Sequence, residues 1–411
     1  MIRWISNSRV SLQRLGFCKF AVLVAERSRT RKELADAVLP CFDQAPLHVV
    51  QEEEFTKWVN SRPKQRESPG DGRRIAMAAQ DTWVFNQPAR TGWLSEGAFA
   101  EYYEEINLPL LLDLINEDCV RTDMGDLLLR IGAIPGQDLT SMEGKNPLVL
   151  SDEERATFFY ALAKRDGDFL FPFMNALLRN FGDSPFSYIE AGNVLPDVFD
   201  ETLRRFQTAL YTSADRDQYE DMREVKRKIV ENMKKEIHVE GFGSRREQTA
   251  VPRLEWLVDL GVVGKREGEK YRYFILPKQK AFIEASYATY TATADAGYAD
   301  EGITRLLDSA IMRLTFRLLC GTSGELEPVT DIIGFVRVGY EQLKPPTGYC
   351  VMRPLLLLSH TLNWAGAGRQ VVEYRQAIDL LEEAYRRDTA SFYFTTARFG
   401  EDYQIKFEPI P

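Results

Sequence analysis

The run from Ser244 to Pro277 changes its hydrophobic rhythm partway along. Up to Gly261 the apolar positions Leu254, Leu257, Val258 and Leu260 recur at helical spacing, with Arg253, Glu255 and Asp259 placed between them on the expected solvent side. Thr249 is predicted as the N-cap, Pro252 lies in the first turn, and Gly261 supplies the left-handed terminator. Beyond Gly261 the pattern becomes an alternation. Val262 and Val263 open one strand, Glu267-Gly268-Glu269 forms a turn, and Tyr271, Tyr273 and Ile275 alternate with Arg272 and Phe274 on the return.

The remaining chain is mostly helical in pattern. Thr30 to Phe42 carries Leu34, Ala37, Val38 and Cys41 on one side, and Leu47 to Val59 predicts a second helix. Ser61 to Arg74 has Pro, Gly and five basic residues without apolar periodicity, which predicts a loop. Trp83, Phe85 and Trp93 bracket a turn-rich stretch and are expected to anchor it. Ser151 followed by Glu154 has the spacing of a capping box, so a helix is expected to start there. Phe158, Phe159, Leu162 and Ala163 line that helix, Asp166-Gly167-Asp168 is read as a turn, and Leu170 to Phe181 as the second arm of a helical hairpin. Further helices are expected over 196–211, 219–236, 280–290 and 303–319, with a small-residue linker near 291–302.

The C-terminal part repeats the opening pattern. Met352 to Trp364 is helical with Pro354 in its first turn. Arg369 to Asp388 has Val371, Tyr374, Ile378, Leu381 and Tyr385 on one stripe, and two strands follow, turning at Gly400-Glu401-Asp402. The domains expected are a mixed α/β region over 1–107, a helical region over 108–290 whose helix–hairpin unit spans about 220–280, and a C-terminal domain over 303–411. The fold class is mainly α with small β-hairpins.

Charge sharpens this picture. The chain of 411 residues has a net charge of −9, which argues against coating nucleic acid with the whole surface. Residues 221–280 alone carry 15 basic and 10 acidic side chains, a local +5 that leaves −14 on the rest. The five cysteines are widely spaced and form no C-x-x-C pair, so neither a disulfide framework nor a thiolate zinc site is indicated, and a reducing, cytoplasmic setting fits. Phe17 to Ala25 is apolar but interrupted by Lys19; it is read as a buried strand or helix, and no stretch has 18 uninterrupted apolar residues.

Candidate chemistry is sparse. His48, His238 and His360 are far apart, which argues against a His-based zinc site or a Ser-His-Asp triad. Glu143-Gly144-Lys145-Asn146 lacks the first glycine and the hydroxyl residue of a P-loop, and no dinucleotide fingerprint follows a strand. A metal-dependent nuclease would need converging acids; Asp166 with Asp168, and Glu267 and Glu269 with Lys270, are the candidates, and each set is expected at an exposed turn. No cofactor and no metal are expected.

Arg253 to Gly261 together with the hairpin from Val262 to Leu276 resembles winged-helix modules of the helix-turn-helix superfamily. The last 60 residues resemble them more loosely, and the likeness is one of fold, which does not dictate function. It implies DNA contact through Arg245, Arg246, Arg253, Lys265, Arg266, Lys270 and Arg272. In the C-terminal copy the helix mixes Arg369, Arg375, Arg386 and Arg387 with Glu373, Asp379, Glu382 and Glu383. Phosphate would repel those acids, so Arg375, Asp379, Glu382 and Glu383 are expected to face a protein. The function expected is a non-catalytic multi-winged-helix subunit that scaffolds or contacts DNA. Its partner would be an ATPase or nuclease in prokaryotic genome maintenance or antiphage defence. A stand-alone transcriptional regulator and an enzyme with its site in residues 1–107 are the alternatives.

Overall fold

The structure is a computed structural model. It describes residues 3–5, 15–25, 30, 33–34, 108–131, 149–207, 213–234, 245–265, 272–295, 311, 314–315, 317–318, 327–345, 347–365, 368–388, 391–396 and 402–407. The expectations for residues 35–107, for the hairpin turn at 266–271 and for the linker from 296 to 302 lie outside the described residues, while 291–295, expected as the start of that linker, is helical. What is described is mainly α with three small sheets.

The N-terminal run expected as a buried strand or helix is a helix, α1 (Gly16–Val24), packed on α2 (Leu108–Leu111) and α3 (Asp123–Ile131). Next comes α4 (Asp152–Phe181), which begins at the expected capping box. The Glu154 amide donates to Ser151 Oγ at 3.2 Å, and the Ser151 amide donates to Glu154 Oε2 at 2.8 Å. The same carboxylate takes a second bond, 2.9 Å from the buried Lys19 ammonium, so the cation that interrupts the apolar run of α1 ties that helix to the start of α4. Burial pulls the Lys19 pKa down and Glu154 opposes that pull.

The hairpin turn expected at Asp166-Gly167-Asp168 does not exist. α4 runs 30 residues without a break, and both aspartates are buried within it. Charged neighbours from elsewhere satisfy them, which removes the reason to reverse the chain there.

After α4 come β1 (Phe186–Ser187), α5 (Tyr188–Asn193), α6 (Leu195–Phe206), α7 (Ser213–Lys234), α8 (Arg245–Asp259), β2 (Val263–Lys265), β3 (Arg272–Ile275) and α9 (Lys280–Asp295). β3 is central, in the order β1-β3-β2, with Phe186 opposite Tyr273 and Val263 opposite Ile275. α8 starts four residues before the expected cap, so Thr249 is interior and Pro252 lies mid-helix. Gly261 does end the descent as expected. Its φ is +69°, its amide donates to the Val258 carbonyl at 3.0 Å, and the Val262 amide donates to Leu257 at 2.9 Å. A Cβ there would make only ordinary contacts with Arg155. Gly261→Ala should therefore cost the backbone penalty alone, about 1–2 kcal/mol, read as a shift of the urea midpoint with unchanged m; no shift would mean that this turn relaxes freely.

The C-terminal unit contains β4 (Glu327–Pro328), α10 (Ile332–Leu343), β5 (Cys350–Val351), α11 (Met352–Ala365), β6 (Gln370–Val371), α12 (Tyr374–Arg387), β7 (Phe392–Thr396) and β8 (Tyr403–Phe407). The helix expected from Arg369 is shorter than its pattern. Gln370 and Val371 pair in parallel with Glu327 and Pro328, which holds them extended, and helix begins at Tyr374. Sheet order is β5-β8-β7. Helix, strand, helix, helix, hairpin therefore occurs twice, each time with an insertion: as α4, β1, α5, α8, β2, β3, with α6 and α7 inserted before α8, and as α10, β5, α11, α12, β7, β8, with β6 inserted before α12. α11 packs on α3 and α4, and α10 packs on α3.

Candidate functional site

The two long helices preceding the hairpins, α8 and α12, are placed very differently. Every side chain from Thr249 to Leu257 of α8 is buried, and Asp259 nearly so. Arg253, Glu255 and Asp259, expected toward solvent, each meet a partner instead. Arg253 donates from Nε to Asp166 Oδ2 at 2.8 Å, and from Nη2 to Asp166 Oδ1 at 2.7 Å and to the Ile5 carbonyl at 3.1 Å. Its guanidinium lies 4.7 Å from the Trp4 ring centre and 4.5 Å from that of Phe169. Asp166 also accepts the Ile5 amide at 2.9 Å, and Asp168 accepts from both the backbone and the guanidinium of Arg3. Burial pushes the Asp166 carboxyl up, while Arg253 and the Ile5 amide pull it back. Asp259 accepts the Leu15 amide at 2.7 Å. Residues 3–5 and the start of α1 thus lie against α4 and α8 and complete their polar contacts.

This arrangement corrects two expectations. Arg253 does not reach phosphate, because it is enclosed and bound to a carboxylate. Asp166 and Asp168 are not an exposed acidic turn, because each is paired with an arginine inside the core.

The other expected phosphate contacts separate. Lys265 lies 2.8 Å from the buried Glu255, which also accepts the Tyr273 hydroxyl at 2.6 Å, so this cation fastens the hairpin to α8. Arg246 is half-buried, donating to Asn193 at 2.9 Å, with its aliphatic stem across Gly192, where any Cβ would clash. Arg272 is exposed, 3.9 Å from Glu190. Arg246 and Arg272 therefore border the same short helix, α5. The side chain of Arg245, and Arg266 and Lys270 altogether, lie outside the described residues, as do Glu267 and Glu269.

On α12, Tyr374, Ala377, Ile378 and Leu381 face inward while Arg375, Asp379 and Glu383 are exposed and Glu382 is half-buried. Glu382 pairs with Arg386 at 3.2 Å and Glu383 with Arg387, both one turn apart. Tyr374 donates its hydroxyl to Asp402, which also accepts the Arg353 amide at 3.1 Å. His360 is buried, as expected of a core residue. Its Nδ1 bonds the Leu356 carbonyl at 2.6 Å, and Nε2 accepts the Val372 amide at 3.1 Å, which identifies the neutral Nδ1–H tautomer.

Where the two units meet, a cavity of about 180 Å³ is lined by Asp113, Asp123, Lys164, Arg165, Arg353 and Asp402 among others. Desolvation raises the Asp123 carboxyl, and the nearby acids Asp126, Asp402 and Asp113 add to it. Among the described residues no group of three His, Cys, Asp or Glu side chains is arranged to hold a metal ion. Among them, too, no helix is long and apolar enough to cross a membrane.

Sequence reasoning missed the Arg3–Asp168 and Arg253–Asp166 pairs. One signal was present: Asp166 falls on the stripe that runs Phe159, Leu162, Phe169, Phe173 at unbroken helical spacing, where a turn would have reset the phase. Comparison with protein families, with characterised proteins and with solved structures finds no match to this chain.

Proposed function

We propose that the chain is a non-catalytic scaffold subunit carrying two winged-helix modules, one turned inward and one turned outward. The repeated element order, and sheet orders that set the first strand beside the last, support the winged-helix reading of both units. The functional reading is carried by the enclosure of α8. The second helix of a helix-turn-helix enters the major groove with its own side chains, and from Thr249 to Leu257 α8 offers none to solvent. The first module holds the chain together. The second presents Arg375, Asp379, Glu382 and Glu383, whose mixed signs suit a protein surface better than phosphate. In this reading DNA contact is confined to the first hairpin, through Arg272 and its neighbours Arg266 and Lys270. The assembly it serves is a DNA-processing or antiphage-defence complex whose ATPase or nuclease is a separate chain.

A salt series with random-sequence duplex DNA tests this. The full chain should bind weakly, with log K falling against log salt at a slope no steeper than about −3, because only about three cations reach phosphate. Changing Arg266, Lys270 and Arg272 together to Glu should abolish the binding. A slope of about −6 or steeper, or tight binding to one sequence, would overturn the inward placement of α8. No binding even at low salt would remove DNA contact and leave a purely protein-binding scaffold.

A further inference from the structure

Going beyond the scaffold reading, we propose that β7 joins a second copy of the chain, edge to edge, in an antiparallel two-fold pair. In the order β5-β8-β7 this strand has β8 on one side and, among the described residues, no strand on the other. Exposed edges are ordinarily blunted by brevity, charge or proline. The first module follows that rule: its edge strands are β1, with two residues, and β2, which carries the charged Lys265. β7 does not. It is five residues long, Phe392-Tyr393-Phe394-Thr395-Thr396, without a charge, a proline or a glycine. Tyr393 is 42% exposed and packs edge-on against Tyr349 and Tyr385, which stiffens the strand and adds aromatic surface beside it.

Charge argues for a second copy over a partner of another kind. A two-fold pair centred on Phe394 sets Tyr393 against Thr395 and Phe392 against Thr396, aromatic and β-branched pairs that favour antiparallel sheet. No like charges meet across the strands. α12 packs on β7, and its three arginines, Arg375, Arg386 and Arg387, balance three acids, Asp379, Glu382 and Glu383, so this helix brings no net charge to the joint. A strongly charged partner would find nothing on the strand to select it. An isologous pair also closes on itself, consuming both free edges and leaving no template for fibres.

Sedimentation of the full chain across a dilution series is the test. The wild-type chain should report roughly twice 47.1 kDa at high concentration and fall to one chain mass on dilution. Tyr393→Lys with Thr395→Lys sets lysines opposite each other and should lower the association at least tenfold. Tyr393→Lys alone, at an exposed site, is the variant to rely on should the double one fold poorly, and Thr395→Val should retain the pair. A wild-type chain that stays at single-chain mass at every concentration overturns the proposal. So does a dimer that persists unchanged in a folded lysine variant.

Discussion

Replacing Arg253 with alanine is expected to destabilise the chain by about 3–5 kcal/mol, the range for breaking a buried ion pair from one side. The loss has three parts. Asp166, with no exposed surface, keeps its carboxyl but loses both guanidinium bonds, at 2.7 and 2.8 Å. The Ile5 and Thr249 carbonyls lose donors at 3.1 Å each. The space between Trp4, Phe169 and Trp256 loses the cation that fills it. Burial already pushes the Asp166 carboxyl up, so without arginine it should bind a proton in the folded state and blunt part of the cost. Urea denaturation of the full chain reads the effect. Pairing Arg253→Met with Asp166→Asn should recover part of the loss, because neither group is then a lone buried charge. Arg272→Glu is the control, since its pair with Glu190 is exposed and its change should stay within about 0.5 kcal/mol. An Arg253→Ala chain as stable as the wild type would mean that the guanidinium faces water, and would restore it as a phosphate contact.

That contrast shows how far local pattern reaches. The capping box at Ser151, the glycine stop at Gly261 and the apolar stripe of α12 were legible because each depends on residues within one or two turns, whereas the apolar run after Gly16 showed burial without deciding between strand and helix. The hairpin following Gly261 was legible for the same reason. The polar residues of α8 were not. Arg253 meets Ile5 and Asp166, and Asp259 meets Leu15, partners 87 to 248 positions away that no periodicity can display. A charge read at a helical b or f position is assigned to water by default, and a distant carboxylate or carbonyl can supply what water would. The start of α12 was misplaced through the same blindness, since β4 lies about forty residues before the strand it holds extended. The candidate interface changed accordingly. The helix that looked most like a DNA reader is the one most needed inside, and the acid-bearing copy is the one left facing out.

Acidification should weaken the C-terminal module through His360. Its imidazole is 2% exposed, and burial lowers its pKa from 6.5 to about 4. The geometry agrees with that direction. Nε2 accepts the Val372 amide, so a proton added there would set two donors against each other in a site without water's dielectric. The unfolded chain has no such constraint and protonates near the ordinary value. Between pH 6.5 and about 4 the unfolded state therefore binds more protons than the folded one, and stability falls as pH falls through that window. A depression of this size corresponds to about 2 kcal/mol lost by pH 5 and about 3 kcal/mol near pH 4. Above pH 7 the same group contributes no slope. His360→Leu isolates the effect. The variant should be less stable than wild type at pH 7, because the Val372 amide loses its acceptor, yet it should lose about 2 kcal/mol less between pH 7 and pH 5. Urea midpoints of both chains at the two pH values provide the comparison, with the carboxylates common to both cancelling in the difference. Equal losses in the two chains would show that the imidazole is charged or solvated in the folded state. The turn from α11 into Val372 would then be held by something other than a neutral histidine.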